Sequence, residues 1–130
     1  MITRSSLVFL VSMFALSGIE NAFAGDTQSQ MVRLAKLEIH PEQLEAYKAA
    51  LKEEIEDSIR LEPGVVALRA VAEKDSPNRI TIMEIYASVD AYKAHIASPH
   101  FQKYKAGTEH MVKSLELIEV DPILLGEKPK

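Results

Sequence analysis

The chain has 130 residues, with 15 basic side chains against 19 acidic ones, a formal net charge of -4 and no cysteine. So mild an acidity gives no reason to expect a nucleic acid or an anionic membrane surface as partner. The lack of cysteine excludes disulfides, thiolate catalysis and cysteine-ligated metal.

Residues 1–24 read as an export signal. Arg4 lies near the amino terminus, Leu7 to Leu16 is an apolar run, and Ala22-Phe23-Ala24 has the small-x-small form of a cleavage site before Gly25. The apolar run is about half the ~20 residues a spanning helix needs, so a cleaved signal and an exported, periplasmic or secreted chain are expected rather than an anchor. Only Arg4 and Glu20 would leave with it, so the net charge of the remainder is unchanged. Residues 25–30 are small and polar and form a flexible lead-in to one domain over residues 31–121, with a tail at 122–130.

Met31 to Ile39 alternates apolar and charged residues imperfectly, as a strand with one buried face does. A helix follows, with Pro41 and Glu42 suited to its first turn. Leu44, Tyr47, Leu51, Ile55 and Ile59 recur at three and four and form its apolar stripe. Pro63-Gly64 ends it. Val65 to Glu73 is a second strand, Lys74 to Asn78 a turn, and Arg79 to Ala87 a third strand, the short link predicting an antiparallel hairpin. Ser88 caps a short helix through Ala97. Ser98-Pro99 restarts the chain as a further helical piece running to about Lys113, since Ser favours the cap and Pro the first helical position. Ser114 to Asp121 is a fourth strand, and the tail carries the apolar Ile123-Leu124-Leu125.

The order β-α-β-β-α-β is that of an α+β, ferredoxin-like domain with an antiparallel sheet. Helices on one side leave the other face of such a sheet in need of cover, for which a second subunit and the apolar tail are the candidates. Both sides of Val65 to Val71 are apolar, so a homodimer packed sheet against sheet, a dimeric α+β barrel, is the economical expectation.

Glu84, Tyr86, Ala91, His95, His100 and Phe101 spell E-x-Y, a small residue on the next helix, then H-x(4)-H-F; with the Pro63-Gly64 stop and the element order, they resemble the antibiotic biosynthesis monooxygenase (ABM) family. The likeness is to its small quinol-monooxygenase-like and autoinducer-2-degrading members and spans about Val32 to Val120. It implies a pocket between sheet and helices, and a cofactor-independent monooxygenase acting with O2 on a small quinol or phenol. Other branches isomerise small carbonyl compounds or degrade haem. The haem branch needs a tryptophan, which this chain lacks, and a ligating histidine where Lys105 stands.

The resemblance points His95 into the pocket as a base, against the alternative of a core histidine that hydrogen-bonds a strand. On one uninterrupted helix, residues five apart sit about 140° apart. The Ser98-Pro99 break lets the chain bend, so that His100 falls in a new first turn, where a capping or interface role is expected. Glu84 and Tyr86 share a strand face with Ile80 and Ile82; a carboxyl among apolar neighbours has its pKa pushed up. Glu84 is thus either a second catalytic group beside Tyr86, orienting His95 or taking a substrate proton, or one half of an ion pair with Arg69 or Arg79. Tyr47, Tyr92, Phe101 and Tyr104, with His100, are candidate lining for a flat aromatic ligand, or plain core. The four histidines show no H-x-H or H-x-x-x-H spacing, and there is no glycine-rich phosphate loop, so neither a metal nor a cofactor is expected. A tautomerase and a non-catalytic small-ligand-binding dimer remain alternatives on the same scaffold.

Overall fold

The computed structural model describes residues 29–130, so the expected export segment lies outside the described residues. Strand β1 is Met31–Ile39, helix α1 Leu44–Leu61, β2 Val65–Ala72, β3 Arg79–Tyr86, α2 Val89–Ala97, α3 Pro99–Thr108 and β4 Val112–Val120. A 3-10 turn at Pro41–Gln43 leads into α1 and another at Glu109–Met111 follows α3. The strands form one antiparallel sheet in the order β2-β3-β1-β4. This is the ferredoxin-like α+β fold expected from the element order. No helix among the described residues is long and apolar enough to cross a membrane.

The sheet's helix-facing side carries Arg33, Ala35 and Leu37 of β1, Ile80, Ile82, Glu84 and Tyr86 of β3, and Leu68 of β2, as strand alternation and the registers require. Helix α1 covers it with Leu44, Tyr47, Leu51 and Ile55 of the predicted stripe, but its fully buried set departs from that stripe toward the helix end. Its buried residues are Tyr47, Leu51, Glu54 and Ser58, while Ile59 is 50% exposed. The spacing of four, three and four is still helical, but the last two turns point polar groups inward. Tyr47 and Leu51 pack with Ala35, Leu37, Ile39, Ile80 and Ile82 in the main core.

The junction of α3 and β4 differs from the sequence reading for a non-local reason. Helix α3 stops at Thr108 and β4 starts at Val112, because Val112 pairs with Ile39 beyond a register shift that leaves Lys113 of β4 as the extra residue, and the His40 amide donates to the Met111 carbonyl at 2.9 Å. At the end of α1, the tight approach of α2 requires a glycine: a Cβ on Gly64 would lie 2.6 Å from that of Ala91.

The opposite sheet face is apolar at one end, with Val32, Leu34, Met83, Ile85, Ile118 and Val120 in register across three strands. The tail returns over this side, where Glu127 pairs with Arg69 at 2.9 Å. Val71 on the same face is 65% exposed, as are Ile123 and Leu124 of the tail to a still larger extent.

Candidate functional site

Between the sheet and the helices lies a cavity of about 350 Å³. Leu37, Leu51, Leu68 and Ile82 make its apolar wall, and Tyr86, Tyr92, Phe101 and Tyr104 its aromatic one; Arg33, Glu54, Glu84 and His95 bring polar groups to it. Six of the eight residues singled out from sequence, namely Glu84, Tyr86, Tyr92, His95, Phe101 and Tyr104, therefore share one cavity. Tyr47 is fully buried behind it, its hydroxyl 2.6 Å from that of Tyr104. His100 lies on the far side of His95 and lines a smaller cleft between α1 and α3.

Glu84 faces Arg33, its direct neighbour on β1, and not Arg69 or Arg79. Leu68 is the β2 residue opposite Glu84, which turns Arg69 to the other face toward Glu127; Arg79, at the start of β3, pairs with Glu73. Burial pushes the Glu84 carboxyl up to about 7, the charge of Arg33 pulling it down and that of Glu54 adding to the rise. The groups turned toward Glu84 are thus Arg33 from β1 and Glu54 from α1, with the hydroxyls of Tyr47, Tyr86 and Tyr104 raised in pKa chiefly by burial. Arg33 is itself held: its guanidinium donates to the Tyr92 hydroxyl at 2.6 Å and to Glu119 at 3.0 Å. Its buried Nε has no hydrogen-bond partner among the described residues.

His95 is almost fully buried, and carboxylates other than Glu84 hold it. Its Nδ1 is 2.9 Å from Glu62 Oε2 and its Nε2 is 3.4 Å from Glu54 Oε1. The Ser58 hydroxyl donates to that same Glu54 oxygen at 2.7 Å. Burial raises the pKa of Glu54, opposed by Ser58 and His95. Burial also acts to raise that of Glu62, but hydrogen bonds from His95 and His100 outweigh it and hold this carboxyl low.

The Ser98-Pro99 break does what the sequence promised. Ser98 Oγ accepts from the Phe101 amide at 3.3 Å, capping α3, and donates to the His95 carbonyl at 2.6 Å, closing α2. The bend brings the two imidazole centroids to 6.3 Å, with His100 Nε2 at 2.6 Å from the same Glu62 oxygen that His95 contacts. Glu54, Glu62 and Arg33 were missed in the sequence. An acid and a serine on the inner stripe of α1 were the available signal for Glu54; Glu62, next to Pro63-Gly64, looked like helix punctuation.

Residues 31–107 match the family described as antibiotic biosynthesis monooxygenase. No curated protein matches the chain. Among solved structures, a candidate antibiotic biosynthesis monooxygenase from Bacteroides thetaiotaomicron is 61% identical, covering 78% of this chain and 97% of its own, with a TM-score of 0.75. A candidate monooxygenase from Lactobacillus acidophilus is 29% identical over 73% of this chain and 53% of its own, with a TM-score of 0.67. One from Nitrosomonas europaea, 20% identical over 75% of this chain and 94% of its own, shares the fold with a TM-score of 0.70. With more than half its length matched and a 61% identical relative covered nearly end to end, the chain belongs to the antibiotic biosynthesis monooxygenase family.

Proposed function

We propose that the chain is a cofactor-independent monooxygenase that takes a small quinol or phenol into the cavity, with Glu84 as the base. The observation that carries this reading is a carboxyl held near 7 at the wall of an aromatic-lined cavity, opposite an arginine whose Nε is unpaired among the described residues. A base whose pKa lies near neutrality is best matched to proton abstraction there. Arg33 and the Tyr92 hydroxyl that it engages would receive the developing phenolate. His95, with both ring nitrogens turned to carboxylates, serves in this reading to fix the cavity wall, and Tyr86, Phe101 and Tyr104 orient the ring.

Deprotonation makes the ring electron-rich enough to reduce O2. The substrate supplies all four electrons that O2 takes up: two as the diol becomes a quinone and two as a ring C–H becomes C–OH, so one oxygen atom is retained on the ring, the other leaves as water, and a benzenediol becomes a hydroxyquinone. Oxygen uptake with a panel of quinols tests this: Glu84→Gln should lower the rate by about 10²- to 10⁴-fold, the usual worth of a positioned base. Uptake equal to that of the unsubstituted chain would remove Glu84 from the role. The same carboxyl suits a carbonyl isomerase, and turnover of a small carbonyl compound that persists without O2 would favour that reading instead. Export is part of the proposal; amino-terminal sequencing of the protein recovered outside the cytoplasm should begin near Gly25.

A further inference from the structure

Glu62, His95 and His100 come from three elements, yet one ligating atom of each lies within 4.8 Å of the others. Glu62 is the residue that closes α1, His95 stands in the last turn of α2, and His100 in the first turn of α3. We propose that they form a binding site for a divalent transition-metal ion of the zinc type. The ligands are Glu62 Oε2, His95 Nδ1 and His100 Nε2, and the fourth position is open to water or an anion.

The donor set of two imidazoles and one carboxylate suits zinc and its neighbours and not calcium or magnesium. In a tetrahedral site with bonds of ~2.0 Å, ligand atoms stand ~3.3 Å apart. The observed separations of 2.9 Å for His95 and 2.6 Å for His100 from Glu62 lie roughly 0.4 and 0.7 Å inside that, and the two imidazole nitrogens lie within 4.8 Å of each other, so binding needs side-chain rotations that open the first two distances.

The outer partners favour a metal as well. A metal-bound imidazole commonly directs its second nitrogen to a carboxylate, which sets its tautomer and orientation. His95 does this: Nε2 faces Glu54 Oε1 at 3.4 Å, and Ser58 holds that oxygen at 2.7 Å. Without an ion, His95 Nδ1 donates to Glu62 at 2.9 Å; with the proton moved to Nε2, toward Glu54, the same Nδ1 offers its lone pair to a cation held between it and the Glu62 carboxylate.

Access is from outside the cavity. The side chains of Glu62 and His100 are 14% and 11% exposed against 3% for His95, and His100 lines the α1–α3 cleft with Glu53, Asp57 and Lys103. The ion would sit behind His95, away from the cavity, and tie the end of α1 to both helices across the Ser98-Pro99 break. The proposal does not rest on the oxygenase reading, because the site faces away from the substrate.

Titration of the chelator-treated full chain with zinc chloride by calorimetry should show one equivalent bound with a dissociation constant of micromolar or tighter. Cobalt chloride should give the visible absorption of a four-coordinate ion. Glu62→Gln and His100→Ala should each abolish stoichiometric uptake, and Glu54→Gln, which acts through His95, should weaken it about 10- to 100-fold. His40→Ala and His110→Ala should leave it unchanged. No stoichiometric uptake by the unsubstituted chain, or uptake that survives in both Glu62→Gln and His100→Ala, overturns the proposal.

Discussion

Glu84 joins local sequence to cavity chemistry. Its place on one strand face with Ile80, Ile82 and Tyr86 was legible from alternation alone, and so was the upward push on its pKa. Its charged neighbour was not, since Arg33 is fifty-one residues away and meets it only through the β1–β3 register. The raised pKa has a consequence for stability. Between its ordinary value near 4.5 and about 7, the folded chain binds more protons at Glu84 than the unfolded one. That contribution is therefore fully present below about 4.5 and is lost as pH rises to about 7. Chemical denaturation should show Glu84→Gln to be more stable than the parent at pH 8, by roughly 1–3 kcal/mol, with little difference near pH 4. Gly64 illustrates the reverse situation, a residue required by space alone. The Cβ of Gly64→Ala would meet Ala91 Cβ at 2.6 Å, an overpacking expected to cost about 1–3 kcal/mol and to lower Tm. Adding Ala91→Gly should recover part of the loss.

The helices show where periodicity informs and where it misleads. In α1 the apolar count favours a stripe ending at Ile55 and Ile59; Ile55 does pack against the core, but Ile59 is exposed and the fold buries Glu54 and Ser58 beside the stripe. Two polar side chains on the inner face are tolerated because they satisfy each other at 2.7 Å and meet His95 from α2. No pattern internal to α1 contains that partner. The α2–α3 junction was readable, because Ser-Pro is a local signal for a cap and a first turn. Ser98→Ala removes both the cap on Phe101 and the hydrogen bond to the His95 carbonyl, and should destabilise the domain by about 2 kcal/mol. A denaturation midpoint unchanged from the parent would show that Pro99 alone sets the break.

Helices cover one face of the sheet; on the other, Val32, Leu34, Met83, Ile85, Ile118 and Val120 form a row partly crossed by the tail, with Val32 and Ile85 buried and the rest half-buried. A row of this kind fits the expected homodimer, which we retain as a proposal. Sedimentation equilibrium should find a dimer for the parent chain and a monomer for Leu34→Glu, whose charge would be placed at the centre of the row; a monomeric parent would end the dimer proposal. The sequence by itself determined the element order, hence the ferredoxin-like class, together with the helix break, because caps, stops and alternation are short-range effects of backbone sterics and side-chain period; it left the aromatic side chains open between cavity lining and core. Only the tertiary structure decided which charges meet. Arg33 faces Glu84, Glu54 and Glu62 flank His95, and His100 reaches the same Glu62, because these contacts depend on strand register and helix docking, which bring together residues thirty-three to fifty-one positions apart.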